Sequence, residues 1–309
     1  MIQPPFLVPG ETIGICATAR WMTTEQMQPA IAEIESWGLK VVVMDQVFEK
    51  QGQLAGSDAQ RAEALRALLE RKDIQAILIA RGGYGTVRIV DSIPDEVILN
   101  SNKWLCGYSD ITVLHNRWNQ LGYSTIHSTM PISFESCTPR ALSQLRGALM
   151  GNWETTEWAA EQQNWTSIEG PIVGGNLSVV YAQLGSSTQL KSEGSIVFLE
   201  DVDEMLYHVD RMLQALKRAG VMQGAKGILV GGLTQIKDNT IEHGFSLDNP
   251  WGKDVQQIFK EWADSLNLPI AFDFPSGHWE KNEALYFGRP VRINASEKQG
   301  KNTMRMELI

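Results

Sequence analysis

The alternation of short apolar runs with amphipathic segments in the first half of the chain constrains the fold most. Strands are predicted at residues 12–18, 39–44, 74–80, 104–106 and 124–127, and helices at residues 24–37, 58–71, 110–120 and 139–150. Strands that alternate with helices of this length are typical of a parallel, doubly wound sheet. The first 150 residues therefore predict one α/β domain.

The second half of the chain has a different organisation. Residues 151–170 carry three scattered tryptophans among polar residues without a clear period, which predicts a linker that packs its indoles on the surface; a flap over a site is the alternative. Beyond the linker, strands are predicted at residues 171–173, 195–199 and 227–230 and near residues 270, 285 and 304, and helices at residues 177–184, 205–218 and 253–266. We therefore predict domains at residues 1–150 and 171–309.

Composition limits the function classes. The formal net charge of -9 argues against nucleic acid or an anionic membrane surface as the main partner. The first ten residues lack the charged and apolar regions of a signal peptide, and the sequence has no apolar run of about 20 residues that could span a bilayer. Three widely spaced cysteines predict free thiols in a reducing compartment, so we expect a cytoplasmic protein.

A serine follows the fourth predicted strand in the sequence Trp-Leu-Cys-Gly-Tyr-Ser-Asp of residues 104–110. Gly107 permits a tight turn, and Asp110 and Thr112 are expected to cap the helix that follows. Ser109 is then at a strand-to-helix corner, where a hydroxyl can act as an acyl-transfer nucleophile. Because the second glycine of G-x-S-x-G is missing, a helix-capping serine is the other interpretation.

A glycine-rich sequence, Arg-Gly-Gly-Tyr-Gly at residues 81–85, directly follows the third predicted strand. Backbone amides at the carboxyl end of a parallel strand can approach a ligand, so a phosphate cradle and an oxyanion hole are both possible, as is a purely structural turn. Neither the dinucleotide fingerprint nor a Walker loop is matched.

Acidic residues and one histidine supply further candidates. The sequence Glu-Asp-Val-Asp-Glu at residues 200–204 follows an apolar strand, where the acids can stabilise a helix start or orient a histidine. His278 is in a predicted turn, Pro-Ser-Gly-His-Trp, and is either a loop base or an inert histidine. Since no metal-ligand spacing is present, we expect neither a metal nor a cofactor.

Five motifs occur in an order that resembles the LD-carboxypeptidase family of serine peptidases, which includes the microcin C self-immunity peptidases. They are Leu-Ile-Ala-Arg-Gly-Gly-Tyr-Gly-Thr (78–86), Gly-Tyr-Ser-Asp (107–110), Gly-Gly-Asn-Leu-Ser (174–178), Phe-Leu-Glu-Asp-Val-Asp-Glu (198–204) and Val-Asp-Arg-Met-Leu (209–213). The resemblance extends from about residue 9 to the end of the chain. It implies a flavodoxin-like N-terminal domain and a smaller, strand-rich α/β C-terminal domain.

The resemblance also implies a catalytic triad made across the two domains. By motif, Ser109 is the nucleophile, Glu200 the orienting acid and His278 the general base. The backbone amides of Gly83 and Asp110 would form the oxyanion hole.

Substrate binding is expected beside that hole, where Arg81 and the amide of Gly82 suit a carboxylate. Two segments depart from the family pattern: residues 17–20 read Ala-Thr-Ala-Arg in place of an Ala-Pro-Ser run, and residues 127–129 read His-Ser-Thr in place of His-Gly-Pro. Both departures leave the identity of the substrate open.

Three functions are compatible with the sequence. The preferred one is a carboxypeptidase that releases the terminal D-alanine from murein tetrapeptides, and the resemblance implies that it acts as a homodimer. The second is a self-immunity peptidase that cleaves a peptidyl or aminoacyl nucleotide. The third is a two-domain protein that binds a small ligand through the same glycines and has no nucleophile.

Overall fold

The computed structural model describes residues 1–298 and 301–309. Within these residues the strands are β1 (Thr12–Cys16), β2 (Lys40–Val43), β3 (Ala76–Ile79), β4 (Trp104–Gly107), β5 (Thr125–His127), β6 (Thr156–Ala159), β7 (Gln162–Gln163), β8 (Ser167–Asn176), β9 (Ile196–Val202), β10 (Gly227–Thr234), β11 (Ile270–Ala271), β12 (Leu285–Phe287), β13 (Pro290–Lys298) and β14 (Lys301–Leu308). The α-helices are α1 (Thr24–Ser36), α2 (Asp58–Glu70), α3 (Asp95–Ser101), α4 (Thr112–Gln120), α5 (Pro139–Met150), α6 (Leu177–Ala182), α7 (Leu206–Arg218) and α8 (Val255–Asp264).

The chain forms two compact units. The first comprises residues 1–154 together with residues 280–289, and the second comprises residues 155–279 together with residues 290–309. A short segment near the C-terminus thus returns to the first unit before the chain ends in the second.

The first unit is built on a sheet with the order β2-β1-β3-β4-β5-β12. Strands β1 to β5 pair in parallel, and β12 pairs antiparallel with β5 at the edge. Strands β1, β3 and β4 are almost continuous runs of buried side chains, as expected for a sheet covered on both faces, whereas the edge strand β2 is only partly buried. Because parallel strands all end at the same edge, the loops after β1, β3, β4 and β5 come together there.

The second unit contains a mixed sheet with the order β6-β14-β13-β8-β9-β10-β11-β7. Its parallel centre, β8 to β11, carries helices whose apolar faces bury Leu213, Phe259 and Trp262 in one core. The long antiparallel strands β13 and β14 extend the sheet on one side. The predicted fold class, a flavodoxin-like parallel-sheet domain followed by a smaller, strand-rich α/β domain, is confirmed.

Residues 151–170, which we expected to be an irregular linker, contain β6, β7 and the beginning of β8. The expectation that the tryptophans lie on the surface is wrong for two of them. Trp158 and Trp165 are buried, and their indole N–H groups donate to the carbonyls of Phe272 and Ile293. Indoles can enter a core when the N–H finds an acceptor, and here both acceptors come from residues more than 100 positions away along the chain.

No helix in residues 1–298 and 301–309 is both long and apolar enough to cross a membrane. All three cysteines are free thiols, with Cys16 and Cys106 buried. Burial raises the pKa of the Cys16 thiol to about 12, so it stays protonated and packs as a small apolar side chain.

Candidate active site

Ser109 lies immediately beyond β4, in the first unit. Its backbone φ is 65°, a left-handed conformation that is unfavourable for a residue with a Cβ. A buried histidine stabilises the end of β4. His115 Nε2 lies 2.9 Å from the Gly107 carbonyl oxygen, and His115 Nδ1 lies 2.8 Å from Thr125 Oγ1. Burial lowers the pKa of His115 to about 4, which keeps this imidazole neutral and structural. Strain of this kind at a serine is a feature of nucleophile turns.

The glycine-rich loop after β3 lies against this serine. A Cβ added at Gly82 would be 3.2 Å from Ser109 Cβ and 3.3 Å from Ser109 Oγ, a tighter contact than most side chains make, so a glycine favours this close approach of the loop. Gly83 follows with a φ of 116°, which a side chain would strain. The loop therefore brings backbone beside the serine hydroxyl, as an oxyanion hole requires.

The side chain of Asp110 does not have the capping role that we expected. Its Oδ2 accepts the backbone N–H of Thr86 at 2.8 Å, and thereby joins the serine corner to the end of the glycine loop. The carboxylate is 4% exposed, and burial raises its pKa although the Thr86 hydrogen bonds and nearby arginines oppose the shift. The expectation failed because a partner 24 residues away in sequence competed with the local amides.

Arg61 is a supporting residue that sequence reasoning missed. It is fully buried on α2, and its Nη1 donates to the carbonyls of Thr18 at 2.6 Å and Gly85 at 2.8 Å. One guanidinium thus holds the loops after β1 and β3 together. A signal was present in the sequence: Arg61 is three and seven residues before Ala64 and Leu68, which places a charge on the buried face of the helix.

Glu200 and His278 meet in the second unit. Glu200 Oε2 accepts both the backbone N–H of His278 at 3.1 Å and a hydrogen bond from its Nδ1 at 2.6 Å. The carboxylate is fully buried in β9, and Gly277 lets the histidine loop approach it, since a Cβ there would be 2.8 Å from Glu200 Cβ. The Glu200 carboxylate therefore fixes both the position and the tautomer of the imidazole.

Burial on its own lowers the pKa of His278, but the charge and hydrogen bond of Glu200, followed by the charge of Asp201, more than offset it and raise the pKa overall. Asp201 itself accepts hydrogen bonds at 2.9 Å from Asn176 Nδ2 and from the backbone N–H of Ser178. Burial and then the neighbouring Glu200 raise the pKa of Asp201 to about 7. Asp201 thus ties the end of β9 to the start of α6.

A second glutamate–histidine pair lies on the same unit. Glu204 Oε2 contacts His208 Nδ1 at 2.5 Å across one turn, and both side chains are partly exposed. The idea that the acids at residues 200–204 serve a helix start is wrong for Glu200 and Asp201. Strand β9 continues through both residues, because it pairs with β10 as far as Val202, and α7 begins only at Leu206.

No group of three or more histidine, cysteine or acidic residues in the described ranges is arranged to hold a metal ion. The groups with chemical potential are a serine beside a glycine loop in one unit and a buried carboxylate–imidazole pair in the other.

These features define a two-unit α/β protein with a serine at the carboxyl edge of a flavodoxin-like sheet. Residues 13–128 match the model of the LD-carboxypeptidase N-terminal domain, and residues 169–293 match that of the C-terminal domain. The chain belongs to the LD-carboxypeptidase family, which confirms the resemblance seen in the five motifs.

A named relative agrees with this assignment, and solved structures have a similar fold. A probable murein peptide carboxypeptidase of Bacillus subtilis is 31% identical over 305 residues, which cover 96% of this chain and 92% of the relative. The structure of a muramoyltetrapeptide carboxypeptidase from Oxalobacter formigenes has a TM-score of 0.83 at 22% identity and covers 96% of this chain and 98% of its own. The microcin C7 self-immunity protein MccF in complex with aspartyl sulfamoyl adenosine has a TM-score of 0.85 at 19% identity, with 99% of both chains covered. Both solved structures are similar to this chain in fold.

Proposed function

We propose that this chain is a serine carboxypeptidase that releases the terminal D-alanine from murein tetrapeptides, with Ser109 as nucleophile, His278 as general base and Glu200 as the acid that orients it. The backbone amides of Gly83 and Asp110 stabilise the oxyanion. The observation that carries the proposal is the Glu200–His278 pair, in which one buried carboxylate oxygen binds both the ring and the backbone of the histidine.

The proposed reaction has two halves. Because Glu200 engages Nδ1, the opposite ring nitrogen of His278 takes the proton of Ser109 Oγ as the oxygen attacks the substrate carbonyl. The imidazolium that forms is stabilised by the buried carboxylate, and it then protonates the leaving amine. Water hydrolyses the acyl-enzyme by the same route in reverse.

The Ser109 corner supports the nucleophile assignment independently. A left-handed φ at a serine costs conformational energy, about 1–3 kcal/mol, which a plain capping serine would not need. Gly82 leaves the hydroxyl beside backbone amides, where charge that develops on the substrate oxygen can be stabilised.

A murein peptide is favoured as substrate by the Bacillus subtilis relative, the most informative of the named proteins because its identity of 31% extends over nearly the whole chain. A nucleotide conjugate would favour an aromatic platform for its base. Trp158 and Trp165 are buried, and the Trp153 indole N–H donates to the Ala284 carbonyl at 2.8 Å. The tryptophans of this segment are therefore used in packing rather than as a platform for a base. The self-immunity activity is the second candidate, because the fold is similar to that of MccF.

Replacement of the nucleophile tests the proposal. Ser109→Ala should abolish release of D-alanine from a murein tetrapeptide, measured by mass spectrometry of the products, while the unfolding midpoint changes little, because the serine is only partly buried and its loss opens no cavity. Ser136→Ala, an exposed serine of the same unit, is the matched control. Activity of the Ser109 variant within about tenfold of the parent would exclude the nucleophile role.

The non-enzymatic alternative has its own test. A fluorophosphonate, which labels activated serines, should modify Ser109 in the parent protein, and the modified peptide can be identified by mass spectrometry. A binding protein that uses the glycine loop without a nucleophile would remain unlabelled. Incubation with an aminoacyl sulfamoyl adenosine in parallel would reveal the self-immunity activity.

We also propose that the protein acts as a homodimer in the reducing environment of the cytoplasm. The family resemblance supports the dimer, and three free cysteines support a reducing compartment. Light scattering on the purified protein should give twice the chain mass of 34.4 kDa. A mass equal to that of one chain would contradict the dimer.

A further inference from the structure

Two arginines flank the glycine loop beside Ser109, and we call them the arginine pair. Arg20 follows β1, and a Cβ at Gly83 would lie 2.7 Å from its Nε, so the Arg20 side chain lies on the backbone of that glycine. Arg81 follows β3, and its Nη1 donates to the carbonyl of Trp21, the residue after Arg20, at 3.4 Å. The Arg20 side chain thus lies on the glycine loop, and the Arg81 side chain binds the residue that follows Arg20.

The arginine pair has an excess of positive charge. Burial lowers the pKa of Arg81, and the nearby charge of Arg20 lowers it further, as expected for two like charges at short range. In residues 1–298 and 301–309, neither guanidinium forms a salt bridge with a carboxylate. Arg20 is exposed, so the pair is open to a ligand. Two neighbouring guanidinium groups, neither of which forms a salt bridge within those residues, favour the binding of an anion although Asp110 is nearby, and their planar N–H groups match a carboxylate.

The covalent structure of a peptide fixes how far its terminal carboxylate lies from the carbonyl carbon that the serine attacks. In a substrate that loses its last residue, the terminal carboxylate is three bonds from the carbonyl carbon that is attacked, and thus within about 4 Å of it. Gly82 lies between Arg81 and Gly83, and a Cβ added to it would lie 3.3 Å from Ser109 Oγ, so the backbone between the two loop residues runs close to the serine hydroxyl. The arginine pair is therefore positioned to bind a terminal carboxylate rather than a charge farther along a peptide.

We propose that Arg20 and Arg81 bind the free α-carboxylate of the residue that is released, and that they restrict the enzyme to the last bond of a peptide. This inference rests on the proposed serine carboxypeptidase function. Arg20 belongs to the segment of residues 17–20 that departs from the usual family pattern, so we assign to this departure a role in recognition of the leaving residue.

The test compares two substrates that differ only in the terminal charge: a murein tetrapeptide that ends in D-alanine and the same peptide with a C-terminal carboxamide. Arg20→Gln should lower kcat/KM for the acid about 10- to 100-fold, the usual effect of losing a charge-assisted hydrogen bond, and change that for the amide less than about threefold. Arg20→Lys should recover part of the loss, because it keeps the charge but not the planar fork. Arg66→Gln, on the exposed face of α2, controls for net charge and should leave both values unchanged.

Equal losses for the acid and the amide, or no loss for either, would overturn the proposal. The failure of the proposed function is a different result, namely a parent protein whose Ser109 is not labelled by a fluorophosphonate. Binding gives a readout without turnover: in the Ser109→Ala background, calorimetry should show tighter binding of the acid than of the amide, and Arg20→Gln should remove the difference. Equal affinities in that background would refute the carboxylate site.

An aminoacyl sulfamoyl adenosine forms the third arm, because its leaving group also carries an anionic group next to the acyl carbon. If Arg20→Gln impairs cleavage of this compound while the parent does not distinguish the peptide acid from the amide, the anion bound is the sulfamoyl group and the carboxylate assignment is wrong. Selective loss on the peptide acid supports it.

Discussion

At the scale of single residues, Glu200 and Glu204 are neighbours in sequence, and each contacts a histidine. Glu200 is fully buried and fixes His278 by two hydrogen bonds, whereas Glu204 pairs with His208 at the partly exposed start of a helix. Glu200→Gln should lower kcat/KM about 10⁴-fold, because the imidazole loses its orienting acid.

Glu204→Gln is the matched control, since it removes the same charge four residues away. It should lower kcat/KM less than about threefold, because a partly exposed ion pair contributes little. Steady-state kinetics with a murein tetrapeptide would measure both variants. The reverse ranking of the two rates would show that the wrong glutamate has been chosen.

The raised pKa of His278 predicts how activity and stability depend on pH. The pKa is raised above the ordinary 6.5 by Glu200 and Asp201 against the effect of burial. The proposed role of His278 as general base requires a neutral ring, so kcat/KM should rise with pH up to a pKa above 6.5. The stability that the pair contributes is fully present below pH 6.5 and is lost as the pH rises through the raised pKa.

An NMR titration of the His278 ring would measure this pKa directly. In Glu200→Gln the favourable charge is absent while burial remains, so the pKa should fall below that of the parent. A parent value at or below 6.5 would contradict the electrostatic effect we assign to Glu200.

At the scale of elements, the loop after β3 and the corner after β4 are joined by the hydrogen bond from the Thr86 N–H to Asp110 Oδ2. Asp110→Ala leaves this buried N–H without its acceptor and should lower the free energy of unfolding by about 1–3 kcal/mol. It should also lower kcat about 10- to 100-fold, because the amides that we propose as the oxyanion hole lose their fixed separation.

Asp110→Asn retains an oxygen acceptor of the same size and is the control for the loss of charge. It should keep most of the stability and most of the rate. Urea denaturation and steady-state kinetics would compare the two variants. Equal effects of Ala and Asn would mean that the charge of Asp110, and not the hydrogen bond to Thr86, is what matters.

At the scale of the whole molecule, the first unit depends on residues from near the end of the chain. Strand β12 pairs with β5 and buries Leu285 and Phe287, and the Tyr286 hydroxyl donates to the Ala148 carbonyl at 2.6 Å. A fragment of residues 1–154 would expose the edge of β5 and the apolar surface under β12, so we expect it to aggregate.

The same fragment joined to residues 280–289 by a short Gly/Ser linker should stay free of aggregates and unfold cooperatively in urea. The linker can be short because Trp153, almost at the end of the fragment, already contacts Ala284. Gel filtration and circular dichroism would compare the two fragments. Equal stability of both would show that β12 is dispensable for the first unit.

Much of the fold followed from local patterns along the chain. The alternation of apolar strands and capped helices predicted the elements of the first sheet to within a few residues. These elements depend on local periodicity and on helix caps such as Thr23 and Ser57, which bind amides three residues away. The serine corner was predicted from the end of a strand and one glycine. The roles of Glu200 and His278 came from motif resemblance, because residues 78 positions apart carry no local sign of contact.

Other features were decided by the tertiary structure alone. Asp110 binds the Thr86 amide and not its own helix, β9 continues past Glu200 because β10 supplies the pairing, and Arg20 lies on Gly83. In each case the partner comes from another loop or strand, and the free energy of a buried hydrogen bond or a strand pairing exceeds the weak preference of the local sequence. Sequence by itself therefore determined which elements form and which residue types end them. The direction of each polar side chain was decided by the tertiary structure, because its hydrogen-bond partner is a group that is distant in sequence.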